Sequence, residues 1–114
     1  QKKTEETLMV KTGGSYVNIP VSNIVYAENT ARKITLYVKD MVQPCYTFYE
    51  KMENLEKSLG EGFFRSHRGF LVNLAEVSGY DHTGITMKNG AVVYLAKAKY
   101  HDFVAAYMNY LRRE

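Results

Sequence analysis

Phe63-Phe64-Arg65-Ser66-His67-Arg68-Gly69-Phe70-Leu71-Val72-Asn73 sets a short polar connection between two apolar runs. Aromatic and branched residues on both sides anchor it, so Arg65, Ser66, His67 and Arg68 are presented on a tethered loop. A guanidinium so placed can make two parallel bonds to guanine O6 and N7, which an ammonium cannot match. The bland alternatives are a solvated surface arginine and a half-buried histidine bonded to backbone. Phe63, Phe64 and Phe70 are core residues on either reading.

Working toward the N-terminus, residues Gln1 to Glu6 are polar and read as a tail or linker, with the domain spanning 7–114. Thr7 to Lys11 and Ser15 to Pro20 form strands around the Gly13-Gly14 turn signal. Ile24 to Ala27 and Ile34 to Val38 are further strands, separated by a loop over Asn29 to Arg32. Lys39-Asp40 marks a turn, and Met41 to Tyr46 returns as a strand with Pro44 at an edge or bulge. The spacing of Phe48, Met52, Leu55 and Leu59 predicts a helix from about Phe48 to Leu59. Thr47 and Glu50 form its capping box, and Gly60 ends it.

Toward the C-terminus, Glu76 to Asp81 and Ile85 to Lys88 read as strands joined by a turn at Thr83-Gly84. Asn89-Gly90, the strongest hairpin signal in the chain, leads into Ala91 to Leu95. A helix begins near Ala98, its apolar stripe formed by Tyr100, Phe103, Val104, Tyr107, Met108 and Leu111. Arg112 and Arg113 fall in its last turn, where cations favour the helix dipole. The expected fold is mainly β, with two helices and short antiparallel sheets.

With 114 residues the chain suits one domain with one modest core. A net charge of +3 hints at an anionic partner without deciding it. Ten tyrosines point to strands before they point to base stacking. No apolar run reaches membrane-span length, and the N-terminus lacks the plan of a secretory signal. A chain opening on Gln1 reads as a fragment or processed form. The single cysteine, Cys45, excludes an internal disulfide and fits a reducing, cytoplasmic setting. His67, His82 and His101 lie in separate elements with no second ligand at i+3 or i+4, so no metal or cofactor is expected. Without a phosphate loop or a nucleophile pattern, the chain does not read as an enzyme.

The Phe63–Asn73 segment closely resembles the F-x-R-x-H-[RN]-[ST]-x-[IVL]-V-N segment of LytTR domains. Ile19 to Glu28, Leu55-Glu56-Lys57-Ser58-Leu59, and Asn89-Gly90 with Val92 to Lys97 resemble that family's other motifs, in the same order. The resemblance implies a β-rich domain that reads the major groove of double-stranded DNA with loops at strand ends. It implies base or backbone contacts at Arg32 or Lys33, at His67 and Arg68, and at Lys97, with Ser66 and Lys99 on phosphates. Two departures stand out. Gly69 replaces a frequent Ser or Thr, and Lys97 replaces a frequent Arg, trading a fork for a point charge. Asn73 is expected to tie down backbone at a turn.

By the same resemblance the chain is the effector domain of a two-component response regulator. It would follow a phosphoryl-accepting receiver domain and bind promoter direct repeats as a dimer. A competing expectation is a β-rich protein-interaction or ligand-sensing module without DNA binding. Arg32, Lys33, Arg68 and Lys97 on different faces would favour it. A third, single-stranded nucleic-acid binding, requires several tyrosines exposed on one sheet face.

Overall fold

The computed structural model describes residues 6–113. Among these residues, ten strands form three antiparallel sheets with two α-helices. β1 (Thr7–Thr12) and β2 (Ser15–Pro20) make a hairpin, turning on Gly13 and Gly14, both at positive φ. β3 (Ile24–Thr30), β4 (Lys33–Val38), β5 (Cys45–Tyr49), β6 (Phe63–His67) and β7 (Phe70–Asn73) form a five-stranded sheet in the order β5-β4-β3-β7-β6. β8 (Val77–Tyr80), β9 (Gly84–Met87) and β10 (Val92–Tyr94) form a third sheet. α1 spans Met52–Leu59 and α2 spans Tyr100–Arg113. Of the expected tail, Gln1 to Glu5 lies outside the described residues. Glu6 is bonded into the fold, its carbonyl accepting from Val21 N–H at 2.9 Å.

The five-stranded sheet is the middle of three layers. Ile34, Leu36 and Val38 alternate along β4 and face a first core, shared with Val10 and Ile19 of the hairpin and Met52, Leu55 and Leu59 of α1. Val25, Val72 and Phe64 face a second core with Ile85, Met87 and Val93 of the third sheet and Phe103 of α2. Phe64 and Phe103 meet edge to face, their centroids 5.5 Å apart. On the second face Tyr26 stacks on Tyr37 at 4.5 Å. Burial, with Tyr37 and Glu28 alongside, pushes the Tyr26 phenol up to about 12.

Three expectations need correction. The helix does not begin at Phe48: Cys45–Tyr49 is a strand, and Phe48 pairs with Ile34 in the ladder. Thr47 therefore caps nothing. Its carbonyl accepts from Thr12 Oγ1 at 2.9 Å, linking the hairpin to the sheet edge. Glu50 does act at the helix start, but alone. Its carboxylate accepts from Asn54 Nδ2 and Lys51 N–H, both at 2.9 Å, which holds it below the usual carboxylate range.

The returning strand also starts later than Met41. Met41 and Val42 are almost fully exposed on a loop closed by Asp40, whose carboxylate accepts from Val42 N–H. Pro44 stands just before the edge strand β5, with its carbonyl accepting from Val38 N–H. Finally, the α2 stripe is narrower than expected. Phe103 is buried, whereas Met108 and Leu111 are exposed.

Asn73 fastens the passage between layers. Its Nδ2 donates to Ile24 O at 2.7 Å, and its Oδ1 accepts from Ala75 N–H at 3.0 Å. The first bond ties the end of β7 to the start of β3. The second caps the 3-10 turn Leu74–Glu76, which carries the chain into the third sheet. Asn73→Ala removes both partners inside the protein, and urea unfolding should show a loss of about 2 kcal/mol or more. A change below about 0.5 kcal/mol would mean that water replaces the amide there.

Candidate nucleic-acid interface

The β3–β4 and β6–β7 turns lie at the same end of the five-stranded sheet, because β3 and β7 are antiparallel neighbours. The ladder continues past β7 into the turn, where Asn29 N–H donates to Gly69 O at 2.8 Å. A second backbone bond brings in a third segment: Ala96 N–H donates to Ser66 O at 2.9 Å. Lys97 follows directly and opens the 3-10 turn Lys97–Lys99 that leads into α2. Two hydrogen bonds thus gather Arg32, Arg68 and Lys97, far apart in sequence, at one edge. This is not the dispersed arrangement that would favour a module without DNA binding.

Arg32 occupies the two-residue turn and is exposed; among the described residues it makes no hydrogen bond or ion pair. Its neighbour Ala31 sits at φ 59°, the one non-glycine residue at positive φ among those described. Lys33 starts β4 opposite Tyr49, and its ammonium lies over that ring, 5.3 Å from the centroid. Lys33 is thus partly engaged, whereas Arg32 is free. The edge is not uniformly basic. The groove beside Arg32 is also lined by Glu50 and Glu53.

Arg65, Ser66 and His67 lie in β6 and not on the loop expected for them, leaving Arg68 and Gly69 as the turn, and the register against β7 slips between Arg65 and His67. A bulge of this kind re-aims side chains. Ser66 and His67 consequently both turn toward β10. Ser66 is fully buried, with Oγ donating to Tyr94 O at 2.9 Å. The His67 ring meets the Tyr94 ring edge-on at 5.0 Å, and its Nδ1 accepts from Gly69 N–H at 3.1 Å. In the neutral ring this leaves the proton on Nε2. Arg68 stands at the tip, exposed, and among the described residues its guanidinium has no partner. Lys97 and Lys99 are exposed as well.

The expectation of a phosphate contact from Ser66 meets a plain obstacle, since a buried hydroxyl already committed to Tyr94 O does not face solvent. Arg65, expected on the loop with no role assigned to it, is instead a largely covered strand residue. Its Nε and Nη2 donate to Arg68 O at 3.2 and 2.6 Å, and its Nη1 pairs with Glu56 Oε1 at 3.1 Å. The signal was present, because Arg65 is two residues from Phe63 and so shares its sheet face, the one that α1 covers.

Beside Lys97 lies a largely apolar groove of about 780 Å³, walled by His82, Tyr94, Leu95, Ala98 and Tyr100. His82 stacks on Tyr100 at 4.1 Å. No cluster of three or more His, Cys, Asp or Glu side chains able to hold a metal ion occurs among the described residues. No helix among them is long and apolar enough to cross a membrane.

The domain is β-rich and carries basic turns at one sheet edge. A family model described as the LytTr DNA-binding domain matches residues 14–108, and the chain belongs to this LytTR family of DNA-binding domains. Among solved structures, it is similar to the LytTr DNA-binding domain of a Bacillus cereus protein described as a methyl-accepting/DNA response regulator. That match has a TM-score of 0.74 and 21% identity, covering 90% of this chain and 97% of the other. No curated protein matches the chain.

Ser66→Ala should therefore act on stability. Leaving Tyr94 O unpaired should cost about 1–2 kcal/mol in urea unfolding. The slope of DNA affinity against salt should stay unchanged, and a shallower slope would restore Ser66 as a phosphate contact.

Proposed function

We propose that this domain binds double-stranded DNA sequence-specifically through the sheet edge formed by the β3–β4 turn, the β6–β7 turn and Lys97. It would act as the effector domain of a response regulator, reading the major groove with Arg68 and Arg32. The observation that carries this reading is the Arg68 turn. Its backbone is held at Arg68 O and at both Gly69 peptide atoms, while the Arg68 guanidinium is exposed and, among the described residues, uncommitted. Such a group is free to take the two acceptors of guanine. Lys33, Lys97 and Lys99 supply point charges for phosphates, which set register without reading sequence. One domain offers few base contacts, so useful specificity requires two copies on a repeat-containing site, with an attached receiver controlling their pairing.

The single-stranded alternative finds less support. The most exposed tyrosines, Tyr16, Tyr49 and Tyr94, belong to three different sheets and form no common stacking platform.

The test uses a duplex enriched from a random pool by the unmutated protein, with a scrambled duplex as control, across a salt series. Arg68→Ala should lower the ratio of specific to nonspecific affinity about ten- to a hundredfold. An unchanged ratio would remove Arg68 as a base reader. Lys97→Ala should weaken both duplexes alike and reduce the salt slope by about one.

Gly69 offers a gain-of-function counterpart. A Cβ there would meet His67 Nδ1 at 3.5 Å and Asn29 O at 3.6 Å, which is ordinary contact, and its φ is not positive. Gly69→Ser should fold normally and add a hydroxyl beside Arg68. The expected result is tighter binding to both duplexes with the salt slope preserved; weaker binding would show that the site needs the bare glycine.

A further inference from the structure

We propose that Arg65 is a positioning residue for the Arg68 tip, and that Glu56 on α1 sets the orientation of Arg65. The inference rests on the base-reading role assigned above to Arg68. Only 18% of the Arg65 side chain is accessible, and its guanidinium is committed to partners within the chain. Two of its nitrogens converge on one acceptor, the Arg68 carbonyl. The third, Nη1, meets Glu56 Oε1 at 3.1 Å. Arg65 therefore holds the peptide that follows the Arg68 side chain.

The other restraints on that turn complete the arrangement. His67 Nδ1 holds Gly69 N–H, and Asn29 N–H holds Gly69 O. The tip is fixed through the ring of His67, the end of β3 and, by way of Arg65, α1. A side chain that reads a base must be placed within roughly half an ångström, and a hairpin tip without such restraints would not hold it there.

The competing account is that Arg65 simply staples α1 to the sheet. The geometry argues against that as its whole role. Glu56 is 44% accessible, and an ion pair with so exposed a partner contributes little. Two charge-assisted bonds converge on a single turn carbonyl and fix its direction, a contact that a staple between α1 and the sheet does not need, and only the planar fork of arginine makes both. Lysine at this position keeps the charge and loses the fork, so Arg65→Lys separates the two accounts.

The experiment measures Arg65→Lys in the full chain, with and without Arg68→Ala, on the enriched and scrambled duplexes. Backbone 15N relaxation of the free protein is recorded alongside. The expected result is about a tenfold loss on the enriched duplex and less than about twofold on the scrambled one. Increased mobility should be confined to His67–Gly69. In the Arg68→Ala background the same substitution should cost less than about twofold, because the two residues act as one unit.

An equal loss in both backgrounds, or an unchanged order at the tip, overturns the proposal. Should Arg68→Ala itself leave selectivity intact, the base-reading role fails while the relaxation data still decide the positioning claim. Glu56→Gln provides a second variant if Arg65→Lys does not fold. It should give the same pattern at smaller size, under about threefold, and no change in tip order with that variant would likewise overturn the role of Glu56.

Discussion

Ile24 and Val25 are consecutive residues, and they are buried in different cores. That two-sided burial of β3 and its neighbour β7 is the constraint on which the domain depends. Neither face of the central sheet can be left to solvent, so the hairpin and α1 must cover one, and the third sheet and α2 the other. The slip in register between Ile24 and Tyr26 lets Val25 and Tyr26 both face the second core. Asn73 then holds the strand ends together where the chain leaves the sheet for the next layer. With the centre held from both sides, the rim at the far end of β3 and β7 becomes a rigid place to build on.

What is built there separates backbone from side chain. Three peptide groups of the β6–β7 turn, Arg68 O, Gly69 N–H and Gly69 O, are engaged by Arg65, His67 and Asn29. The side chain at its tip is engaged by nothing among the described residues. The bulge makes this possible: by turning Ser66 inward to Tyr94 O, it fastens β6 to β10 and leaves the tip projecting. Order in the chain and freedom in the guanidinium are two results of the same local geometry.

Much of this was legible in the residues. Alternation and strand propensity gave β1 to β4, Gly13-Gly14 and Asn89-Gly90 located two hairpins, and the periodic stripe located α2. The segment Cys45 to Leu59 misled because Phe48 happens to continue the helical spacing of Met52, Leu55 and Leu59. The Thr47–Glu50 pattern reinforced that reading. Only the ladder with Ile34 shows that Phe48 is a strand residue, and such long-range pairing is not encoded locally. The burial of Ser66 was hidden for a related reason. A strand residue's face follows from counting by two, and one bulge breaks the count. Arg32 and Lys33 were indistinguishable by type; the turn leaves the first free and seats the second over Tyr49.

The strand order β5-β4-β3-β7-β6 carries a consequence of a metrical kind. One turn is centred between β4 and β3, the other between β7 and β6, so their tips stand two strand spacings apart, roughly 10 Å. Stacked base pairs rise about 3.4 Å each, and that interval corresponds to about three steps. An edge laid along a groove would sample bases at this fixed stride. Replacing Arg32 or Arg68 could alter which bases are preferred, but the distance between them is set by backbone hydrogen bonds that no side-chain substitution rewrites. In such a domain the alphabet can evolve while the ruler stays the same.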